Sequence, residues 1–158
     1  MSWDESEALL AIQDALEIGV DSGFRVHIVR SLDPLTWGNI ETPCFCFKDG
    51  EQTVGENDRC HIDYEFSGVV ASSVKDECGG AVVGRVPIAT FPGVVYYSKM
   101  IANLLDYENI ISIISLTNSN LQASKVISVS PSETVFIEDS GDWQIKELSA
   151  IMRFRITE

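Results

Sequence analysis

Polar and apolar side chains alternate strictly from Arg59 to Phe66: Cys60, Ile62, Tyr64 and Phe66 fall on one side, Arg59, His61, Asp63 and Glu65 on the other. A period of two is that of an extended strand with one buried and one solvated face, and it predicts a strand from Arg59 to about Ser67. The end of the chain repeats it. Leu148, Ala150, Met152, Phe154 and Ile156 alternate with Glu147, Ser149, Arg153, Arg155 and Thr157, and only Ile151 is out of place. Phe24, Val26 and Ile28 alternate with Arg25 and His27 ahead of Asp33-Pro34, which ends that segment. Pro43, Phe45 and Phe47 alternate with Cys44, Cys46 and Lys48 before Asp49-Gly50, a dipeptide that predicts a chain reversal. Two more strands are predicted over Val126 to Val129 and Thr134 to Glu138, with Asp139-Ser140-Gly141-Asp142 as the reversal before the last strand.

Helical spacing appears elsewhere. Ser2-Trp3-Asp4-Glu5 has the form of a capping box, and Ala8, Leu9, Ile12, Ala15 and Leu16 then recur at three and four residues until Gly19. That predicts an amphipathic helix of about four turns. Val94, Tyr97, Ile101, Leu104 and Leu105 predict a second helix, with Pro92 near its start, where a missing amide costs little. Ile110, Ile111, Ile113 and Ile114 combine strand-favouring branching with a helical rhythm and are read as a short helix. Between Val69 and Pro92 the alternation is lost. Gly79-Gly80, Gly84, Pro87 and Pro92 punctuate two short apolar runs, Ala81 to Val83 and Val86 to Ala89, which predicts a long hairpin-like excursion inserted before the second helix.

These elements describe one domain spanning residues 1–158, of α+β class: a mostly antiparallel, twisted sheet packed on one face by the N-terminal helix and the central helix. The other sheet face is expected to be exposed or covered by a neighbouring subunit.

Charge narrows the partners. The chain has 24 acidic and 11 basic residues, a formal net charge of -13, which disfavours binding by neutralisation of nucleic-acid phosphates or anionic lipid. No apolar run reaches transmembrane length, so no membrane partner is expected. The start of the chain, Met1 to Glu7, is acidic and leads into an amphipathic helix, so no signal peptide is expected and the four cysteines are read as reduced thiols of a protein folded in the cytoplasm.

Candidate chemistry is sparse. Cys44, Cys46, Cys60, His61 and Cys78 invite a zinc reading, but Cys60 and His61 point to opposite faces of a strand and no second close pair completes a ligand set, so no metal or cofactor is expected. A thiol nucleophile activated by His27 or His61 is disfavoured, because the histidines lie on polar faces and Cys60 on an apolar one. Asp63 and Glu65 share a face, but beside Arg59 and His61 they read as a charged cross-strand ladder and not as a catalytic pair. No catalytic residue is assigned. Asp4, Glu5, Glu7, Asp14, Glu17 and Asp21 precede the first base, Arg25, and form either a solvated helix face or a surface that repels DNA or docks a basic partner. Trp37, Phe91 and Trp143 sit in turn-like contexts, as interface anchors or as core plugs.

The order of these elements resembles the lambda-type phage tail terminators. The resemblance rests on Ile137-Glu138-Asp139-Ser140-Gly141-Asp142-Trp143, on the alternating strand from Leu148 to Thr157, and on Ile62-Asp63-Tyr64-Glu65-Phe66. It spans most of the chain except Val69 to Pro92. It implies a non-enzymatic virion protein, assembled in the host cytoplasm, that forms a hexameric ring on the end of the tail tube, stops polymerisation and meets the head connector. DNA would pass through the ring without specific binding. Arg59, His61, Asp63, Glu65, Trp37, Phe91 and Trp143 would then be candidates for a subunit or tube interface or for the bore. The rival readings are another neck or head-completion subunit, a small ligand-binding domain, and a thiol enzyme.

Overall fold

The computed structural model describes residues 3–54, 60–73, 77–78, 82–83, 86–87, 91–106, 108–117, 122–137 and 143–155, and from 77 to 92 its backbone pairing alone. Helix α1 covers Glu5–Gly19 and is capped by Asp4, whose side chain accepts from the Ser6 amide and hydroxyl at 3.0 and 2.6 Å. Those bonds hold the Asp4 carboxyl below the usual carboxylate range. The cap therefore lies two residues beyond the predicted Ser2. Ala8, Ala11, Ile12, Ala15 and Leu16 form the buried stripe.

A five-stranded sheet follows, built from β1 (Arg25–Ile28), β2 (Cys44–Val54), β3 (His61–Ser73), β8 (Gln122–Ile137) and β9 (Trp143–Arg155) in the order β1-β2-β3-β9-β8. Only the β1–β2 pair is parallel. Helices α2 (Gly93–Asp106) and α3 (Glu108–Thr117) join α1 over one face. The fold is α+β with a mostly antiparallel sheet, as the alternation predicts.

The helical face carries the main core. Ile12, Leu16, Phe45, Phe47, Tyr64, Phe66, Ile101, Leu105, Ile114, Leu148, Met152 and Phe154 are fully buried there, each contributing roughly 1.5–3 kcal/mol by leaving water. Aromatic rings run across it: Phe45 stacks on Phe47 at 5.6 Å, Phe47 meets Phe66 at 5.7 Å, and Trp3 closes on Phe154 at 5.2 Å. Gly68 makes room for them, since a Cβ there would overlap the Phe45 ring.

The second face is not uniformly open. Residues 29–43, with a short 3-10 turn at Pro34–Thr36, fold over one end of it and bury Trp37, Cys44, Cys46, Val69, Ala71 and Ile145, with Val29, Leu32, Ile40 and Trp143 alongside. Strands β2 and β3 are thus buried on both faces at this end, and Val69 to Ala71 belong to β3. The excursion predicted from Val69 begins only after Ser73, and the alternation lapses at Val69 because both faces of the strand are covered there. Within the excursion the predicted hairpin is present as two nested antiparallel pairs: β4 (Glu77–Cys78) with β7 (Phe91–Pro92), and β5 (Val82–Val83) with β6 (Val86–Pro87).

Three further expectations are corrected. Asp49-Gly50 does not reverse the chain; β2 runs through it with a bulge, two residues facing one between the Lys48–Ser67 and Glu51–Glu65 pairs, and the reversal comes after Val54. Gly50 is required there because a Cβ would overlap the Glu65 carbonyl oxygen. The two strands expected over 126–129 and 134–138 are one, β8, interrupted by three register shifts. Pro131 fits inside it because β8 is an edge strand, where a missing amide breaks no inner ladder. Strand β9 starts at Trp143, four residues before the predicted Glu147, while Ile156 and Thr157 lie outside the described residues.

Candidate functional site

Beyond the patch covered by residues 29–43, the second sheet face is open, and cross-strand register arranges its side chains in rungs. Asp63 of β3 stands between Thr53 of β2 and Arg153 of β9. Glu65 stands between Glu51 and Ile151, followed by Ser128. Ser67 lies between Lys48 and Ser149, followed by Ser130. His61 pairs with Arg155 at the far end. Of the charged ladder expected of this strand, Asp63 has an oppositely charged cross-strand neighbour in Arg153, Glu65 lies between Glu51 and Ile151, and Arg59 is outside the described residues.

Its firmest link is forked. Arg153 donates from Nε to Asp63 Oδ1 at 2.7 Å and from its terminal nitrogen to Oδ2 at 3.1 Å. Both side chains are about a third exposed (32% and 29%), so solvent screens the pair, and it orients the guanidinium more than it stabilises the fold. Glu51 and Glu65 face each other in register, both exposed, a like-charge pair that works against this rung and leaves the face acidic at that end.

The serine rung borders a depression of about 170 Å³ lined by Ser67, Ser130, Ser132, Glu147, Leu148 and Ser149. That is below the size of an ordinary small-molecule site. The Ser132 hydroxyl is engaged in structure: it accepts from the Glu147 amide and donates to the Glu147 carbonyl, both at 3.0 Å, replacing the ladder bonds lost where register shifts between Pro131 and Thr134. Ser124 does the same at the first shift, donating to the Arg153 carbonyl at 3.2 Å. These are backbone repairs, not poised nucleophiles.

The cysteines divide. Cys44 and Cys46 lie fully buried under Trp37, their sulfurs 3.9 Å apart with the Cys46 thiol donating to Cys44; that bond and then burial push the Cys46 thiol well above its usual range. A thiol held protonated is no nucleophile. Cys60 was expected on the apolar face but is exposed, because it sits in the turn before the first paired residue of β3, where the strand's alternation does not yet operate. Among the described residues no group of three or more His, Cys, Asp or Glu side chains is placed to hold a metal ion.

No protein-family model matches this chain, and none of the curated proteins matches it. Its site must be judged from its own geometry.

The candidate interface residues separate accordingly. His61, Asp63 and Glu65 come together on the open face. Trp37 does not join them: it is 8% exposed, donates from Nε1 to the Ser31 carbonyl at 2.8 Å, and lies 6.1 Å from the half-buried Trp143, so the pair plugs the covered end of the sheet. Arg59 and the Phe91 side chain lie outside the described residues. Sequence reasoning missed Arg153 and Arg155 as members of the face that carries Asp63, since their placement opposite β3 depends on the β3–β9 register. Of the acids of α1, Asp14 and Glu17 are exposed on the helical side of the sheet, while Glu5 is bonded to Tyr64 and Gln52.

Proposed function

We propose that this protein is a structural ring subunit of a phage-type tail, a terminator that caps the tail tube, stops its polymerisation and meets the head connector at the neck of the virion. The observation that carries this reading is the form of the sheet: an open face of oriented charges and hydroxyls, flanked by a 16-residue edge strand β8. A ring subunit has to present such surfaces to its neighbours, and a closed ring buries edges that would otherwise template further addition. The element order and the stretches that resemble the terminator family support the same reading. His61, Asp63 and Glu65 would face an adjacent subunit or the bore, and the surplus of 24 acids over 11 bases suits a channel that lets DNA pass without holding it.

Tail tubes assembled with and without the protein, viewed by electron microscopy, test this. Tubes of uncontrolled length are expected without it, and capped tubes of limited length with a terminal ring are expected with it. If added protein neither binds tube ends nor limits their growth, the terminator reading is wrong.

A further inference from the structure

The sheet ends on two unlike edges. Strand β1 has four residues, and the Arg25 and Val29 amides donate to the carbonyls of Pro43 and Phe47 on the β2 side. Val26 and Ile28 therefore turn their amides and carbonyls outward, and the Val26 carbonyl accepts from Gln13 Nε2 of α1 at 3.0 Å. At the other edge, the amide and carbonyl of Glu147 and the carbonyl of Arg153 face β8, where the hydroxyls of Ser132 and Ser124 bond to them. Trp143 and Ile145, at alternate positions of β9, face the same way and pair with Ile137 and Val135. Thr134 and Phe136 thus turn their amides and carbonyls away from the sheet. No strand meets them among the described residues. Beyond its last register shift β8 reads Thr134-Val135-Phe136-Ile137, a run with neither charge nor proline, the form of edge that templates pairing.

Charge separates the two edges. Arg25 and Arg30 bracket β1 and are exposed, and Arg30 bonds to no group among the described residues. Of the acids nearest in sequence, Asp21 is taken by the Tyr96 hydroxyl and Asp33 by the Leu35 amide, while Glu41 lies at the entry to β2. On β8 the run follows exposed Glu133, and exposed Glu147 lies beside Ser132. Lys146 pairs with Thr134, but it also pairs with Val70 of the main core and so belongs to the helical face.

We propose that the 134–137 edge of β8 in one copy pairs with β1 of the next copy, extending the sheet from subunit to subunit. The inference rests on the ring reading above and names the contact that closes the ring. Strands β1 and β2 are parallel and three antiparallel steps then lead to β8, so β8 runs against β1, and a copy that continues the sheet brings the two together antiparallel. The register that engages both outward residues of each strand sets Thr134 against Ile28 and Phe136 against Val26, each pair exchanging both backbone hydrogen bonds. Val135 then faces His27, and Arg30 falls beside Ser132, between Glu133 and Glu147. The faces agree: Val135 pairs with Ile145 and His27 with Cys46, and Ile145 and Cys46 belong to one buried cluster under segment 29–43. Gln13 yields the Val26 carbonyl to the Phe136 amide, and so guards β1 in the free chain. The two edges lie at opposite ends of one sheet, so the contact is head-to-tail, the geometry that generates a ring when its rotation closes.

Disulfide trapping tests the contact. Facing residues of a pair that exchanges no backbone bonds stand about 4.5 Å apart at Cα, within disulfide range. In a Cys60→Ser/Cys78→Ser background, one chain with Val135→Cys and another with His27→Cys are mixed at millimolar concentration and oxidised with glutathione disulfide. A 135–27 heterodimer is expected, about tenfold or more above the yield with Thr134→Cys in place of Val135→Cys, since position 134 belongs to the other face of β8. Adding Thr134→Pro to the Val135→Cys chain removes one outward amide, as Pro131 already does on this edge, and should cut the yield by about tenfold. Arg30→Glu should lower the yield, and Glu133→Arg/Glu147→Arg in the other chain should restore it. The next facing pair, Arg25→Cys with Ile137→Cys, replaces the first if circular dichroism shows that His27→Cys does not fold. Equal yields from positions 134 and 135, a yield that Thr134→Pro leaves unchanged, or charge reversals without effect would each overturn the proposal. Thr134→Pro chains that still cap tubes sink this contact alone; chains that link as described but leave tube growth unlimited sink the terminator reading alone.

Discussion

Replacing Tyr64 with Phe removes one oxygen from the centre of a network that ties α1 to the sheet. The Tyr64 hydroxyl donates to Glu5 Oε1 at 2.7 Å and accepts from the Gly50 amide at 3.0 Å, while Gln52 donates to Glu5 Oε2 at 2.9 Å and accepts from Trp3 Nε1 at 2.9 Å. The ring itself is fully buried and fits Phe equally well, so no cavity of consequence is left. The loss is one hydrogen bond to a carboxylate, about 1.5–2 kcal/mol, plus the Gly50 amide left without its partner at the bulge, about 1 kcal/mol. A destabilisation of roughly 2–3 kcal/mol is expected, which for a chain of this length lowers Tm by about 4–10 °C. Urea unfolding of wild type and Tyr64→Phe, with Glu5→Gln and the double variant completing a thermodynamic cycle, measures it. The pH dependence gives a second reading. Burial, and then the bond to Glu5, raise the pKa of Tyr64 above its ordinary value of 10.0. A group whose folded pKa is raised stabilises the fold fully below its unfolded pKa and loses that contribution as pH climbs toward the folded value. The stability gap between wild type and Tyr64→Phe should therefore narrow above pH 10. A loss under about 0.5 kcal/mol at neutral pH, or a gap that does not change with alkalinity, would show that the network does not anchor the helix.

Ser132→Ala should cost only about 0.5–1 kcal/mol, because the Glu147 amide and carbonyl it serves lie on an exposed edge and can turn to water; faster hydrogen exchange at the Glu147 amide is the sharper readout, and unchanged exchange would refute the repair role. Of Cys44, Cys46 and Cys60, iodoacetamide should label Cys60 alone in the native protein, with Cys44 and Cys46 reacting only on unfolding; mass spectrometry of tryptic peptides reads this, and early labelling of Cys46 would contradict its sealed position under Trp37.

The alternation of Ile62, Tyr64 and Phe66 with Asp63 and Glu65, and its repeat from Leu148 to Arg155, determined from sequence alone that these strands pair a buried face with a polar one. The stripe from Ala8 to Leu16 likewise determined α1. Both follow from local geometry, since a period of two or of 3.6 records which side of one element meets the core. What the tertiary structure decided is everything that depends on a second, distant partner. Segment 29–43 covers one end of the sheet's other face, and this buries Val69 and Ala71 and erases the alternation by which a strand is recognised. Asp49-Gly50 carries a turn signature but becomes a bulge because Glu65 and Tyr64 of the neighbouring strand receive it. Glu5, spaced to close a capping box, reaches across to Tyr64 instead. The open face acquires Arg153 beside Asp63 through a register 90 residues apart in sequence. Periodicity assigns a side chain to a face; only the packed neighbours determine what that face meets.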